Sequence, residues 1–433
     1  MVTAEDEVVG LASELIRFDT SITDDPRDGN GERAAAEFVA ERLADAGYAP
    51  EYVESGPRRG NVVVRLPGAD PGRGALLVHG HLDVVPADPA EWSVHPFSGE
   101  VRDGYVWGRG AIDMKHMVAM SLALARRYRR ESLVPPRDIV FAFLADEEAG
   151  GFQGARWLVE HRPELFDGVT EAISEVGGFS LTVRDGVRAY LVQTAEKGAV
   201  WLRLKVRGTA GHGSLVHTDN AVARLAAAVT RLDGHRFPLV LTGPMREFLH
   251  GVAELTGVPF DEADPEAAVA RFGNAARLIG AALRDTANVT MFSAGVKANV
   301  VPSVASATVD GRVLPGREDE FRRTVTELLG PDVEQDWASL PPVATTFDGR
   351  LVDAMTAALV AEDPGARVLP YLLPGGTDAK AFQALGIRSF GFAPLRLPPS
   401  LDFTSLFHGV DERVPVDGLR FGVRVLDRLL RGC

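Results

Sequence analysis

The residues of this 433-residue chain that could do chemistry sit where apolar runs end. Ala75-Leu76-Leu77-Val78-His79-Gly80 runs into His81-Leu82-Asp83, and Ile139 to Ala145 runs into Asp146-Glu147-Glu148. Ala172-Ile173-Ser174 runs into Glu175-Val176-Gly177-Gly178, Gly108 to Lys115 carries Asp113, and Phe407-His408-Gly409-Val410-Asp411-Glu412 lies near the end of the chain. In an open α/β sheet the carboxyl ends of the strands form the ligand-binding edge, so such residues converge although they are far apart in sequence. Carboxylates crowded together repel, and at least one would have to hold its proton unless cations neutralise the group. A pair of divalent cations about 3.5–4 Å apart, bridged by one carboxylate, removes that penalty and clamps a hydrolytic water. Imidazole and carboxylate ligands without thiolates favour Zn²⁺, with Co²⁺ or Mn²⁺ as alternatives.

Taken together and in this order, the motifs resemble the zinc metallopeptidase family of aminoacylase, glutamate carboxypeptidase, succinyl-diaminopimelate desuccinylase and related dipeptidases. The segments that carry the resemblance are His81-Leu82-Asp83, Gly108 to Lys115, Asp146-Glu147-Glu148, Glu175, Gly211-His212-Gly213-Ser214 and His408-Gly409, which span nearly the whole chain. By this resemblance His81 and Glu175 bind one metal, Glu148 and His408 bind the other, and Asp113 bridges both. Asp83 would accept the second N–H of the His81 ring and fix its tautomer. Glu147 would be the general base that moves a proton from water to the leaving nitrogen. His212 would steady the oxyanion, often from the partner subunit of a dimer, and Asn299 with Arg312 would hold a substrate carboxylate. Gly375, Gly376 and Thr377 resemble the family loop near that end of the substrate. Glu rather than Asp at position 175 leans towards carboxypeptidase, dipeptidase or N-acyl-amino-acid hydrolase work.

These residues need elements to hold them. Amphipathic helices are expected near Val8 to Ile16 and from Glu32 to Ala46, with a loop rich in Asp and Gly from Thr23 to Gly31 before the second. Continuous apolar runs at Asn61 to Leu66, Ala75 to Val78, Ile139 to Leu144 and Arg388 to Phe392 alternate with helical patterns such as Met117 to Arg130. That alternation predicts an α/β fold with a mostly parallel sheet and helices on both faces. From about residue 197 the pattern changes. Val200 to Val206 alternates like a strand with one wet face, and helices at Asn220 to Leu232 and Glu318 to Leu329 accompany strands at Val289 to Ala294 and Ala305 to Arg312. The reading is a catalytic metal-binding domain from 1–196 and 341–433, interrupted by a smaller α+β lid or dimerisation domain at 197–340.

Composition narrows the function further. The net charge of −14 argues against nucleic acid and against an anionic membrane surface. The single cysteine, Cys433, leaves no intrachain disulfide and no thiolate metal cluster. An acidic first segment and the lack of an apolar run of about 18 residues lead to the expectation of a cytoplasmic enzyme.

Blander roles stand beside each signal. Asp113 could pair with Arg109, and Glu147-Glu148 could be the solvated start of a helix. The expectation is a metal-dependent hydrolase of an amide bond next to a free carboxylate, acting on small peptides or N-acyl amino acids as a homodimer. The alternatives are a co-catalytic zinc aminopeptidase and a catalytically silent binding protein on the same fold.

Overall fold

A computed structural model describes residues 3–23, 29–184 and 186–433 of the chain; the centre of the expected Asp/Gly-rich loop, 24–28, lies outside the described residues. Four strands, Ile139–Leu144, Ala75–His81, Val169–Ser174 and Arg388–Gly391, lie side by side in that order and run parallel. Antiparallel strands extend this centre on both sides: Arg59–Leu66 and Glu51–Gly56 beyond Ile139–Leu144, and Val187–Glu196 beyond Arg388–Gly391. The sheet is therefore mainly parallel at its centre and mixed at its flanks. Glu51–Gly56 and Arg59–Leu66 are joined by a tight turn, which allows only antiparallel pairing, whereas parallel neighbours need a crossover.

Burial explains the composition of the central strands. Alternate residues enter different cores, because side chains of a strand point to opposite faces. Leu76, Val78, Phe141 and Phe143 pack with the helices Ala4–Ile16, Lys115–Arg130 and Val416–Gly432. Ala75, Leu77, Val140 and Ala142 pack on the other face with Ala155, Leu158 and Phe382 of shorter helices. A strand covered on both faces has no position left for a polar residue, hence the unbroken Ile139-Val140-Phe141-Ala142-Phe143-Leu144. The helix Ala4–Ile16 starts at Thr3, whose hydroxyl accepts from the Asp6 N–H while the Asp6 carboxylate reaches back, a capping box.

A second sheet holds Thr286–Ala294, Val304–Val313, Gly198–Arg207 and Glu334–Leu340 in that order, all antiparallel. One face carries its own core, with Leu202, Leu204 and Val206 against Leu225 of Ala221–Asp233 and against Phe321 and Val325 of Glu318–Leu329. Arg203, Lys205 and Arg207 on the opposite face are exposed. The stretch between these elements behaves differently. Met245, Phe248, Leu249 and Val252 of the helix Gly243–Thr256, with Ile279 and Leu283, belong to the main core and cover the strand Arg367–Leu373. Among the described residues, no helix is long and apolar enough to cross a membrane.

The main sheet leaves little tolerance where it delivers functional groups. A Cβ on Gly154 would lie 1.7 Å from the carbonyl oxygen of Ala145, the residue before Asp146-Glu147-Glu148. Gly154→Ala must displace that backbone, and the expected loss is about 1–3 kcal/mol of stability. A urea midpoint that does not move would contradict this packing account.

Candidate metal centre

His81 ends its strand with Nε2 at 3.1 Å from Asp113 Oδ1 and 3.6 Å from Glu175 Oε2. His408 approaches from the far end of the chain, with Nε2 at 3.3 Å from Asp113 Oδ2 and 3.1 Å from Glu148 Oε2. The result is two groups of ligand atoms, His81–Asp113–Glu175 and Asp113–Glu148–His408, each with its atoms within 4.8 Å of one another. Asp113 belongs to both, and its two oxygens face different histidines. Only nitrogen and oxygen donors are present, and a bridging carboxylate between two imidazole–carboxylate groups fits a pair of divalent cations.

The electrostatics of the protein part point the same way. Burial pushes Glu175 up to about 7 against the pull of His81. Burial also raises Glu148, with the charge of Asp113 adding to it, and raises Glu147 well above the usual carboxylate range, with Glu175 adding to it. Burial alone would depress His81, yet hydrogen bonds to Asp113, Asp83 and Glu175 hold it well above its ordinary value. Hydrogen bonds to Asp113 and Glu148 hold His408 up at about 10. Protons thus take the positions that cations would neutralise.

Asp83 does more than face the His81 ring. The nearest partner of His81 Nδ1 is the Asp83 backbone carbonyl at 3.0 Å, while its carboxylate Oδ1 stands 3.5 Å away. The Asp83 carboxylate also accepts the N–H groups of Glu147, at 3.1 Å, and Glu148, at 2.9 Å. Asp146 just before them takes a left-handed conformation, φ 67°, and the chain turns into the short 3-10 helix Glu147–Ala149. A sharp turn pinned by one carboxylate is how two adjacent glutamates reach one site. The Asp113–Arg109 pairing does not occur: Arg109 Nη1 lies 2.8 Å from Glu412 Oε2.

Glu412 is a residue that sequence reasoning quoted but gave no role. Fully buried, it accepts the N–H groups of Gly110, Ile112 and Asp113 at 2.9, 2.7 and 3.1 Å. Arg109 meanwhile donates to the carbonyls of His408 and Gly409 at 3.2 and 3.1 Å. The pair ties the loop carrying Asp113 to the loop carrying His408. The available signal was the glycine-bracketed loop itself, whose amide groups need an acceptor.

A cavity of about 400 Å³ opens over these groups and is lined by Asp113, Glu147, Glu148, Glu175 and His408 together with Arg312, Gly375, Gly376 and Thr377. Arg312 is bidentate to Asp310, at 2.6 and 2.9 Å. The Thr377 hydroxyl donates to Glu196 at 2.9 Å. Asp378, also missed as a candidate, lines the cavity with its pKa pushed well up by burial. His212 and Asn299 are not among the lining residues. Both are exposed on the second sheet's side, where Asn299 accepts the Gly213 N–H at 2.9 Å and His212 Nδ1 meets the Ser214 hydroxyl at 2.8 Å.

Known proteins resemble the chain in sequence and in fold. Residues 77–432 match Peptidase family M20/M25/M40. The chain is 31% identical over 392 residues to the human N-fatty-acyl-amino acid synthase/hydrolase PM20D1, covering 84% of this chain and 75% of that protein. It is 30% identical over 410 residues to Aminoacylase-1 of Sus scrofa, covering 92% and 89%. An M20 family metallo-carboxypeptidase from Sulfolobus solfataricus superposes with a TM-score of 0.74 at 18% identity, covering 99% of each chain.

Metal loading should release protons. Glu175 near 7 and His408 near 10 are protonated in part or in full without metal, and His81 is raised well above its ordinary value, so binding must displace protons and weakens as pH falls. Calorimetric titration of metal-free protein in buffers of differing ionisation enthalpy, between about pH 6 and 8, should count at least one proton released per site. Binding with no proton release would refute the assignment of these side chains as ligands.

Proposed function

The chain belongs to Peptidase family M20/M25/M40 and is a metal-dependent amide hydrolase, and from that premise we propose that it cleaves an amide bond beside a free carboxylate in small peptides or N-acyl amino acids. The observation that carries this reading is the pair of ligand groups sharing Asp113 at the base of one cavity with Glu147 and Arg312. His81 and Glu175 would hold one cation, Glu148 and His408 the other, and Asp113 both, with zinc the first candidate on the donor set. Two cations held there would polarise the amide carbonyl and make water a nucleophile near neutral pH.

The side chains supply the rest. Glu147 takes the proton of the attacking water and passes it to the departing nitrogen, and a carboxylate raised by burial is suited to both steps. Asp83 keeps Glu147 and Glu148 in register through their backbone N–H groups. Arg312, one of three cationic residues lining the cavity with Arg156 and Lys380, would bind the substrate carboxylate in place of the partner now supplied by Asp310. His212 and Asn299 complete the site from a second copy of the chain. The support for a homodimer is the unit bounded by 197–340. Its strand Thr286–Ala294 is a sheet edge on which Met291 and Phe292 are exposed, with Val296 and Val300 beyond. With one cysteine, a reducing, cytoplasmic setting belongs to the same proposal.

Glu147→Gln should retain its metal content by elemental analysis while turnover falls by roughly 10²–10⁴. Activity close to the parent's would remove Glu147 as the base. A mixture of His212→Ala and Glu147→Gln chains should regain part of the activity that neither has alone. Verified mixed dimers without any recovery would put the histidine's action within its own chain or outside the reaction.

A further inference from the structure

Of the cationic side chains that line the reaction cavity, Arg312 and Lys380 are already matched with carboxylates, and Arg156 is not. Arg312 is clasped by Asp310. Lys380 Nζ lies 2.7 Å from Glu196 Oε1 and donates to the Lys197 carbonyl at 2.8 Å. Arg156 is half-buried, and among the described residues no carboxylate or other hydrogen-bond acceptor engages its guanidinium. The group instead lies over the Phe152 ring, its central carbon 4.7 Å from the ring centroid. A ring face orients the planar fork but leaves its charge unbalanced and its N–H groups open to an acceptor.

The surroundings of Arg156 are short of that acceptor. Arg156 belongs to the helix Ala155–His161, which follows the turn Glu147–Ala149 on the main sheet. A Cβ on Gly151 would meet Asp378 Oδ1 at 2.9 Å and Arg156 Cγ at 3.5 Å, so Asp378 and the stem of Arg156 flank one glycine. Among the described residues no ion pair joins the two, and Asp378 Oδ2 is buried without a hydrogen-bond partner. Burial pushes the Asp378 carboxyl well up, towards the neutral form, which donates a hydrogen bond where a carboxylate would repel an anion. The other carboxylates lining the cavity are committed on the reading above: Asp113, Glu148 and Glu175 to cations, Glu147 to proton transfer.

We propose that Arg156 is a second anion-binding residue of the cavity, so that this centre prefers substrates with two carboxylates, one for Arg312 and one for Arg156. The inference rests on the amide-hydrolase reading and adds a charged group to its substrate. The second carboxylate has two chemical sources, the far end of a dicarboxylic acyl group or the side chain of an acidic amino acid.

The test pairs each charged substrate with its neutral amide isostere on metal-loaded protein. N-succinyl-alanine against N-succinamoyl-alanine covers the acyl source, and N-acetylglutamate against N-acetylglutamine covers the side-chain source. In one of these pairs kcat/KM should favour the anion by about 10- to 100-fold, the worth of a hydrogen-bonded charge pair. Either pair upholds the site, and which one responds places the anion on the acyl or the amino-acid part. Arg156→Gln should abolish the preference, and Arg156→Lys should keep part of it. No preference in either pair overturns the site and leaves the hydrolase reading intact; a preference that survives in Arg156→Gln overturns it too. If no substrate is hydrolysed, the hydrolase reading fails, and calorimetry with glutarate and its monoamide decides on Arg156 by itself, since both offer one carboxylate to the metals. Glutarate binding about tenfold tighter, with the difference lost in Arg156→Gln, upholds the site; equal affinity overturns it.

Discussion

Three carboxylates and two imidazoles share a space in which none can be fully hydrated, and the rest of the molecule is arranged around that fact. Carboxylates in such surroundings hold protons or require cations, because burying an uncompensated charge is far more costly than burying a paired one. Here Asp113 lies between the two histidines and is held low by them, against the effect of burial, while Glu175, with only His81 against it, is raised. Divalent cations would relieve the repulsion within the cluster as a whole. Its negative groups outnumber its positive ones, and the imbalance is concentrated on the two ligand groups that share a bridge.

Such a centre needs rigid delivery, and the fold delivers it at strand ends backed by buried acceptors. His81 and Glu175 follow directly from neighbouring parallel strands, so their spacing is fixed by the sheet. Glu148 and Asp113 are on loops, where the sheet cannot fix them. Each loop is instead gathered by one carboxylate that accepts successive backbone N–H groups: Asp83 for Glu147-Glu148, Glu412 for Gly110 to Asp113. Hydrogen bonds to a charged acceptor are roughly twice as strong as neutral ones, which suits them to holding irregular backbone. Arg109 extends the same device to the His408 loop.

What the sequence made legible follows from which forces are local. The central strands stand out because a strand covered on both faces must be apolar at every position, and the ligand-bearing residues stand out because they interrupt those runs. The helix Glu318–Leu329 and the capped start at Asn220 also follow from local spacing and side-chain capping. The strand Val187–Glu196 was not resolved as a unit, since its position is set by four different partner strands rather than by its own alternation. The roles of Asp83 and Glu412 were hidden for a related reason. Which donors a carboxylate accepts depends on backbone that arrives from 64 and about 300 residues away. The packing of 243–283 on the main core was likewise beyond reach, because an amphipathic helix does not say which core it covers.

On the proposed reading, Arg312 would bring the second sheet into the chemistry as well as the architecture. It lies on the strand Val304–Val313, opposite Ala199, and lines the cavity while clasped by Asp310 two residues earlier. An arginine left bare beside buried cations would be repelled and would bind any passing anion. One preset on a neighbouring aspartate has its charge balanced and its fork oriented, and a substrate carboxylate must offer better geometry than Asp310 to claim it. That competition makes binding selective for a carboxylate held at the right distance from the scissile amide, because a misplaced anion leaves Asp310 as the preferred partner. On the proposed reading, recognition of the carboxylate beside the amide would belong to the second sheet and the chemistry to the strand ends of the main one.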